Sequence, residues 1–396
     1  GVQTCALPIL SDTERFAGYH AQKHNDDQGS VTQIDANVAS LQGNVTLATG
    51  DKYTQSASNV LAANNIAISG KTVDITTAAN TSGSAQDSSE VKVGAFARIS
   101  SPVIDLANNI EAASKSDDRL QTMQRMAAAA NAYQAASAIN GKGTLIKGEV
   151  GLGISTASSQ DRTSSSQAQG STIKGGNDVT VAATEGNVHV TGSSINAGKA
   201  LTLAAANDIL LDAGQSTAQG SGNNRSAGIE VGVGYTVGPK GGVYAYVAAD
   251  AGKGEYSDSA TVNSNTHLSA ETVNLTSQGG TTLKGADVNA TTITADVKGK
   301  LAIESVQDTV TQHSEQSNVG VRAQVSVGTA WEASGFVGKA NGESSATYVN
   351  QQSGLFAQQG GYHANADSID LKGGAITSTN RSEEHTSELQ SRLHLV

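Results

Sequence analysis

Apolar residues in this chain come mostly as i, i+2 pairs around a single polar residue. Val179-Thr180-Val181, Val188-His189-Val190, Leu201-Thr202-Leu203 and Ile209-Leu210-Leu211 follow one another. Alternate pairs recur at nearly the same interval, Val179 to Leu201 and Val188 to Ile209. Alternation at period two places both members of a pair on one face of a strand. The same rhythm appears upstream in Val45-Thr46-Leu47, Ile66-Ala67-Ile68 and Val73-Asp74-Ile75. Downstream it continues in Val273-Asn274-Leu275, Ile293-Thr294-Ala295 and Leu301-Ala302-Ile303. Gly, Asn, Asp and Ser fill the gaps, and these residues make tight turns. Ile/Leu-Lys-Gly occurs at 146–148, 173–175, 283–285 and 371–373. It reads as a strand ending in a turn with its lysine outside.

A unit of roughly 20 residues carrying short strands and turns predicts an all-β, right-handed parallel β-helix, or solenoid. Its inward Val, Ile, Leu and Ala residues would form one ladder through stacked coils. An antiparallel sandwich also shows short alternating strands, but it needs no fixed recurrence of this length. The pattern predicts burial of Val179, Val181, Leu201, Leu203, Val273 and Leu275, with Thr180, Thr202 and Asn274 outside.

A longer period lies above the short one. Gly252-Lys253-Gly254 leads into Ala260-Thr261-Val262-Asn263, and Gly338-Lys339 leads into Ala346-Thr347-Tyr348-Val349-Asn350. Each copy follows a glycine-alternating strand, Glu230-Val231-Gly232-Val233-Gly234-Tyr235 or Asn318-Val319-Gly320-Val321. A looser copy is Glu149-Val150-Gly151-Leu152-Gly153-Ile154. Residues 228–262 and 318–350 thus read as β-hairpin excursions, expected to pack on the solenoid, with β-insertion into a membrane as the other course. Glycine in such strands keeps one face flat for close approach. A repeat array of this kind is usually a scaffold.

One stretch has helical spacing. Ser116 is a good cap, Asp117 and Asp118 suit the first turn, and Leu120, Met123, Ala127, Ala130 and Tyr133 recur three and four apart before Gly141. It predicts one flanking α-helix. The organisation expected is a repeat module with this helical insertion over 11–171, a second over 172–267 and a third over 268–380.

Both ends break the pattern. Residues 1–10 hold the only cysteine, Cys5, and residues 381–396 are charged with helical spacing. Both resemble translated sequencing-adapter DNA and are expected to be non-native, outside the fold. The remainder begins and ends within the array and is expected to be an internal piece of a longer protein.

Composition narrows the function. Aromatic residues are only 4% of the chain, too few for a large globular core but enough for a thin aliphatic one. Net charge is −11, against nucleic acid as a partner. Outside the terminal segments there is no cysteine, hence no disulfide, cysteine nucleophile or thiolate metal site. His20 and His24 are four apart, with Asp26 and Asp27 beyond, a spacing that on a helix could ligate zinc; the polar context points to a solvated loop. His189, His267, His313 and His363 stand alone, the last in a Gly360-Gly361-Tyr362-His363 turn. Gly232-Val233-Gly234-Tyr235-Thr236-Val237-Gly238 lies in a strand, not before a helix, so it is no phosphate loop. Outward positions at Asp74, Thr180, His189, Thr202 and Asn274 form no carboxylate ladder of the sort a polysaccharide lyase or hydrolase needs. The reading is a non-enzyme with no catalytic residues, no cofactor and no metal.

Three segments resemble a known family: Gly176-Asn177-Asp178-Val179-Thr180-Val181, Lys199-Ala200-Leu201-Thr202-Leu203 and Gly70-Lys71-Thr72-Val73-Asp74-Ile75. They are similar to the haemagglutinin repeats of two-partner secretion exoproteins, the group of filamentous haemagglutinins and contact-dependent growth inhibition effectors. Gln352-Ser353-Gly354-Leu355-Phe356-Ala357, Gly360-Gly361-Tyr362-His363 and Asp370-Leu371-Lys372-Gly373 resemble a distal repeat segment of those effectors. The resemblance covers roughly residues 30 to 380. It implies a secreted fibre on the surface of a Gram-negative bacterium, exported through an outer-membrane transporter. It implies adhesion to a target-cell or host receptor, or delivery of a toxin, with possible outer-membrane contact. A β-helical carbohydrate-active enzyme or an autotransporter passenger is the alternative.

Overall fold

The computed structural model describes residues 13–100, 146–237, 241–327 and 331–379. The predicted helix over 116–141 and the two suspect terminal segments lie outside them. All regular structure in the described residues is β. Two sheets are parallel, of twelve and seven strands, and a third, of seven strands, is antiparallel.

Each turn of the parallel part uses three short strands. One turn is Thr172–Gly175, Val179–Ala183 and Val188–Thr191, and the next is Ser194–Ala197, Ala200–Ala205 and Ile209–Asp212. Ile173 pairs with Ile195, Val179 with Leu201, and Val188 with Ile209, all in parallel. The recurrence seen in the sequence, Val179 to Leu201 and Val188 to Ile209, is thus one turn. The first two strands of a turn lie in the twelve-stranded sheet because Thr266–Ser277, Ala286–Val297 and Gly354–Asn365 each run along both positions. The third strand lies in the seven-stranded one.

Val179, Val181, Leu201, Leu203, Val273 and Leu275 are fully buried, and Thr180, Thr202 and Asn274 face outward as the pleat requires. One continuous cluster runs from Val45 to Ala357 and is built wholly of Val, Ile, Leu and Ala. Equivalent residues stack directly, as in Val45, Ile66, Val179, Leu201, Val273 and Ile293. β-Branched and small side chains stack this way because each meets its own kind about 4.8 Å above and below.

Polar ladders hold the corners. The Asn44 side chain accepts the Asn65 amide at 3.1 Å, Asn65 accepts that of Asp178 at 3.1 Å, and Asp178 that of Ala200 at 3.2 Å. The buried corner between the third strand and the next turn carries hydroxyls. Ser193 Oγ accepts the Ser171 amide at 3.0 Å, Ser305 Oγ the Ser353 amide at 2.9 Å, and Ser353 Oγ the Gly285 amide at 3.0 Å. Here the chain departs from the stack, so backbone ladder bonds are interrupted and hydroxyls supply the partners.

After every second turn the chain leaves at that corner and returns as a long antiparallel pair. The pairs are Ala78–Ser100 with Ile146–Gln169, Gly214–Val237 with Gly242–Ser264, and Asp308–Ser326 with Trp331–Tyr348. Thr13–Val31 flanks the first. These seven strands pair edge to edge in chain order as one sheet. The excursions are therefore wider than the expected 228–262 and 318–350. Their bases are rich in Ser, Thr, Gln and Asn, which hid the alternation.

Local readings need correction in three places. Ile173, Leu283 and Leu371 end strands ahead of an outward lysine, with Gly285 and Gly373 at φ of 74° and 63°. Ile146-Lys147-Gly148 instead opens a long strand, where Lys147 turns to a carboxylate. His20 and His24 lie in the strand Thr13–Val31, not a loop; His20 pairs with Glu90 at 2.8 Å and His24 with Asp26 at 2.9 Å. The Gly360–His363 segment is not a free turn: Gly361, Tyr362 and His363 pair in register with Thr292, Ile293 and Thr294, and the two extra residues are absorbed in a bulge just before them, over 358–360, where Gly361 follows at φ 73°.

Two isolated histidines link neighbouring turns. His189 Nε2 lies 2.8 Å from Asp212 and His267 Nδ1 2.6 Å from Asp287. Hydrogen bonds to these carboxylates, opposed by burial, raise both imidazoles above 6.5. A raised imidazole stabilises fully below 6.5, and that stabilisation is lost as pH rises through the folded value. The melting temperature should therefore fall as pH rises above 6.5. The fall should shrink in Asp212→Asn; a slope unchanged in that variant would refute the link.

Candidate functional site

The antiparallel sheet has two unlike faces. On one, Ile229, Val231, Val233 and Tyr235 follow one another at every second position. In register beside them stand Ile154, Leu152 and Val150 on one side and Ala249, Val247 and Ala245 on the other. Val321, Ala323 and Val325 continue the rows, as do Val93, Ala95 and Ala97. This face is open: Ile229 is 64% exposed, Leu152 63%, Val321 60% and Trp331 80%. The expected packing of these excursions on the stack does not occur, since their strands spend their hydrogen bonds on one another. Arg15, on the edge strand, is the one charge set among the rows.

The other face is built from aromatic rings laid over glycines. A Cβ on Gly234 would collide with the Tyr244 ring, one on Gly320 would collide with that of Phe336, and one on Gly232 would stand 3.0 Å from that of Tyr246. Phe96 covers Gly151 in the same way. Tyr244, Tyr246 and Phe96 are buried by this packing. The alternating glycines thus exist for close approach, as the sequence indicated, and the approaching group is a cross-strand ring.

Between the rings lies an ionic cluster that the sequence reading missed. Glu149 is buried, and it accepts hydrogen bonds from Arg98 Nε at 2.7 Å and Tyr244 Oη at 2.7 Å. Lys147 lies 2.8 Å away, and Arg322 bonds the same carboxylate. Arg98 also donates to Glu230 at 3.0 and 2.5 Å, and the Arg322 guanidinium lies 3.7 Å above the Tyr246 ring. Burial alone would raise the Glu149 carboxyl, but the bonds from Lys147 and Tyr244 and the charges around it hold it down at about 2. Burial pushes the Tyr246 hydroxyl up to about 12. Arg98, Lys147, Glu149, Glu230 and Arg322 come from four strands in all three hairpins, so the cluster ties the hairpins together. The available signal was the glutamate heading both Glu149-Val150-Gly151 and Glu230-Val231-Gly232.

Other chemistry is sparse. Glu255, His313 and Glu315 offer ligand atoms within 4.8 Å of one another at the polar base of the sheet, where Lys339 pairs with Glu315 at 2.9 Å. His363 is exposed. No helix among the described residues is long and apolar enough to cross a membrane, which says nothing of strands.

Comparison with known proteins agrees with the repeats. Residues 152–321 match the Hemagglutinin repeat family. The deoxyribonuclease CdiA of Dickeya dadantii (strain 3937) is 29% identical over 364 residues, covering 88% of this chain and 11% of that protein. The tRNA nuclease CdiA of Escherichia coli (strain STEC_O31) is 30% identical over 379 residues, 90% of this chain and 12% of its own length. The deoxyribonuclease CdiA of Yersinia pseudotuberculosis serotype O:3 (strain YPIII) is 30% identical over 394 residues, 94% of this chain and 36% of that protein. The chain thus spans about an eighth or less of the first two relatives. No solved structure matches it. With its stacked three-strand turns and paired excursions, this chain carries haemagglutinin repeats over residues 152–321 and is similar along most of its length to one segment of the CdiA proteins.

Proposed function

We propose that this chain is a stalk segment of a secreted, cell-surface exoprotein of a Gram-negative bacterium, acting in adhesion or toxin delivery at cell contact. An outer-membrane transporter would export the whole protein, and a target-cell or host receptor would receive it. The parallel turns are read as a right-handed solenoid, the hand that parallel β crossovers adopt. The segment itself is read as non-catalytic. Its relatives are named for different activities, deoxyribonuclease and tRNA nuclease, while sharing this region at similar identity. A property that varies while the segment does not is best placed outside it.

The observation that carries the reading is the open apolar face of the sheet. It runs about ten residues along each strand, the length that spans the apolar part of a bilayer as β-structure. A patch that wide, on seven strands, exceeds what a soluble monomer leaves bare. The charges of the ionic cluster, Arg98, Lys147, Glu149, Glu230 and Arg322, lie on the opposite face and pair with one another there. The sheet is therefore read as the surface that engages the target membrane.

Trp331 is the only tryptophan and stands on this face. Its emission should shift to the blue and lose accessibility to acrylamide when phospholipid vesicles are added. Leu152→Glu combined with Val231→Glu should abolish both changes while the turns stay folded. Emission indifferent to vesicles would overturn the membrane-facing reading.

A further inference from the structure

The apolar face does not end on mixed polar residues. Its first row toward the stack is, in strand order, Lys23, Ser89, Ser158, Arg225, Lys253, Ser317 and Lys339, each the register partner of the next. Every one of these side chains projects on the apolar side, two residues along its strand from an apolar row or its equivalent. The row holds four cations and no carboxylate. Acids appear one row further on, at Asp87, Glu255 and Glu315. Lys339 pairs with Glu315, whereas Lys23, Arg225 and Lys253 have no ion pair among the described residues. All four are exposed.

Along the strands the order is therefore apolar, cationic, anionic. A chain of net charge −11 should be repelled by an anionic surface, so a charge-pure cationic row at this one border is a local exception. It crosses the full width of the sheet, roughly 29 Å at the usual strand spacing. Lysine and arginine can lay their stems along the apolar rows and hold their charges at headgroup depth.

We propose that this row selects an anionic lipid surface, its four cations meeting headgroup phosphates when the apolar rows enter the acyl region. The proposal rests on the membrane-facing reading. The acidic row beyond then stops the sheet from sinking deeper, because its carboxylates would meet the same phosphates.

The test titrates the chain with vesicles of phosphatidylcholine alone and of phosphatidylcholine with phosphatidylglycerol, reading Trp331 emission and flotation. Anionic vesicles should bind about tenfold tighter or more at low salt, and the advantage should shrink as salt screens it. The variant carrying Lys23→Ser, Arg225→Ser, Lys253→Ser and Lys339→Ser should bind the neutral vesicles as the parent does and lose the anionic preference. Arg225→Ser with Lys253→Ser, a milder change, should lose part of it. Equal binding of the parent to both vesicles would overturn the cationic row and leave the membrane-facing reading intact, as would a quadruple variant that keeps the preference. Binding to neither, with dimers in sedimentation velocity, would make the face a contact between copies and overturn both.

Discussion

Leu201→Asp should unfold the parallel stack, lowering stability by about 4 kcal/mol or more. Leu201 is fully buried and stacks between Val179 and Val273 in the ladder that begins at Val45. A carboxylate there loses the leucine's contacts and enters a core of Val, Ile, Leu and Ala with no partner for its charge. A turn in such a stack is stabilised chiefly by its two neighbours, so one failed turn weakens the turns on both sides. Chemical denaturation followed by circular dichroism measures the loss. Leu201→Ile, which keeps the volume, should cost under about 1.5 kcal/mol. A denaturation midpoint shared by the parent and Leu201→Asp would contradict the ladder.

Glu149→Ala should loosen the antiparallel sheet, at a cost of about 3 kcal/mol. The change leaves Arg98, Lys147 and Arg322 crowded together with only Glu230 to balance them, and it orphans the Tyr244 hydroxyl. The damage should concentrate in the hairpins, so limited proteolysis within 214–264 and 308–348 would rise while the turns stay protected. Acid should reproduce it in the parent. A carboxyl held at about 2 against an ordinary 4.5 stabilises fully above 4.5, and that stabilisation disappears as pH falls toward 2. Equal protease resistance of Glu149→Ala and the parent near neutral pH would show that glycine–ring packing alone holds the sheet.

The stack was open to reading because its period is short and its chemistry strict. Val179 and Leu201 could be placed from the alternation alone, since one face of each strand sees only aliphatics and any slip inverts it. The hairpins were half legible. Glycine alternation marked the outer parts at 149–154, 230–235 and 318–321, but the Ser- and Thr-rich bases have no contrast between faces. The Glu149 cluster was invisible for a different reason: Arg98, Glu149, Glu230 and Arg322 are widely separated along the chain and meet only through strand register. The cationic row is of the same kind. Lys23 and Lys339 stand near opposite ends of the chain, and only six successive strand pairings put them in line.

The alternation of two turns with one hairpin sets a rule of lattice matching. Two turns advance the stack by two strand spacings, roughly 9.6 Å, and a hairpin is two strands wide, the same distance. Stack and sheet therefore grow at an identical rate, and neither has to bend to follow the other. Adding or removing a single turn would shift every later hairpin by one strand and break its pairing with the one before. The length of such an arm is quantised: it can change only by whole units of two turns and one hairpin, and within a unit the hairpin is free to lengthen outward.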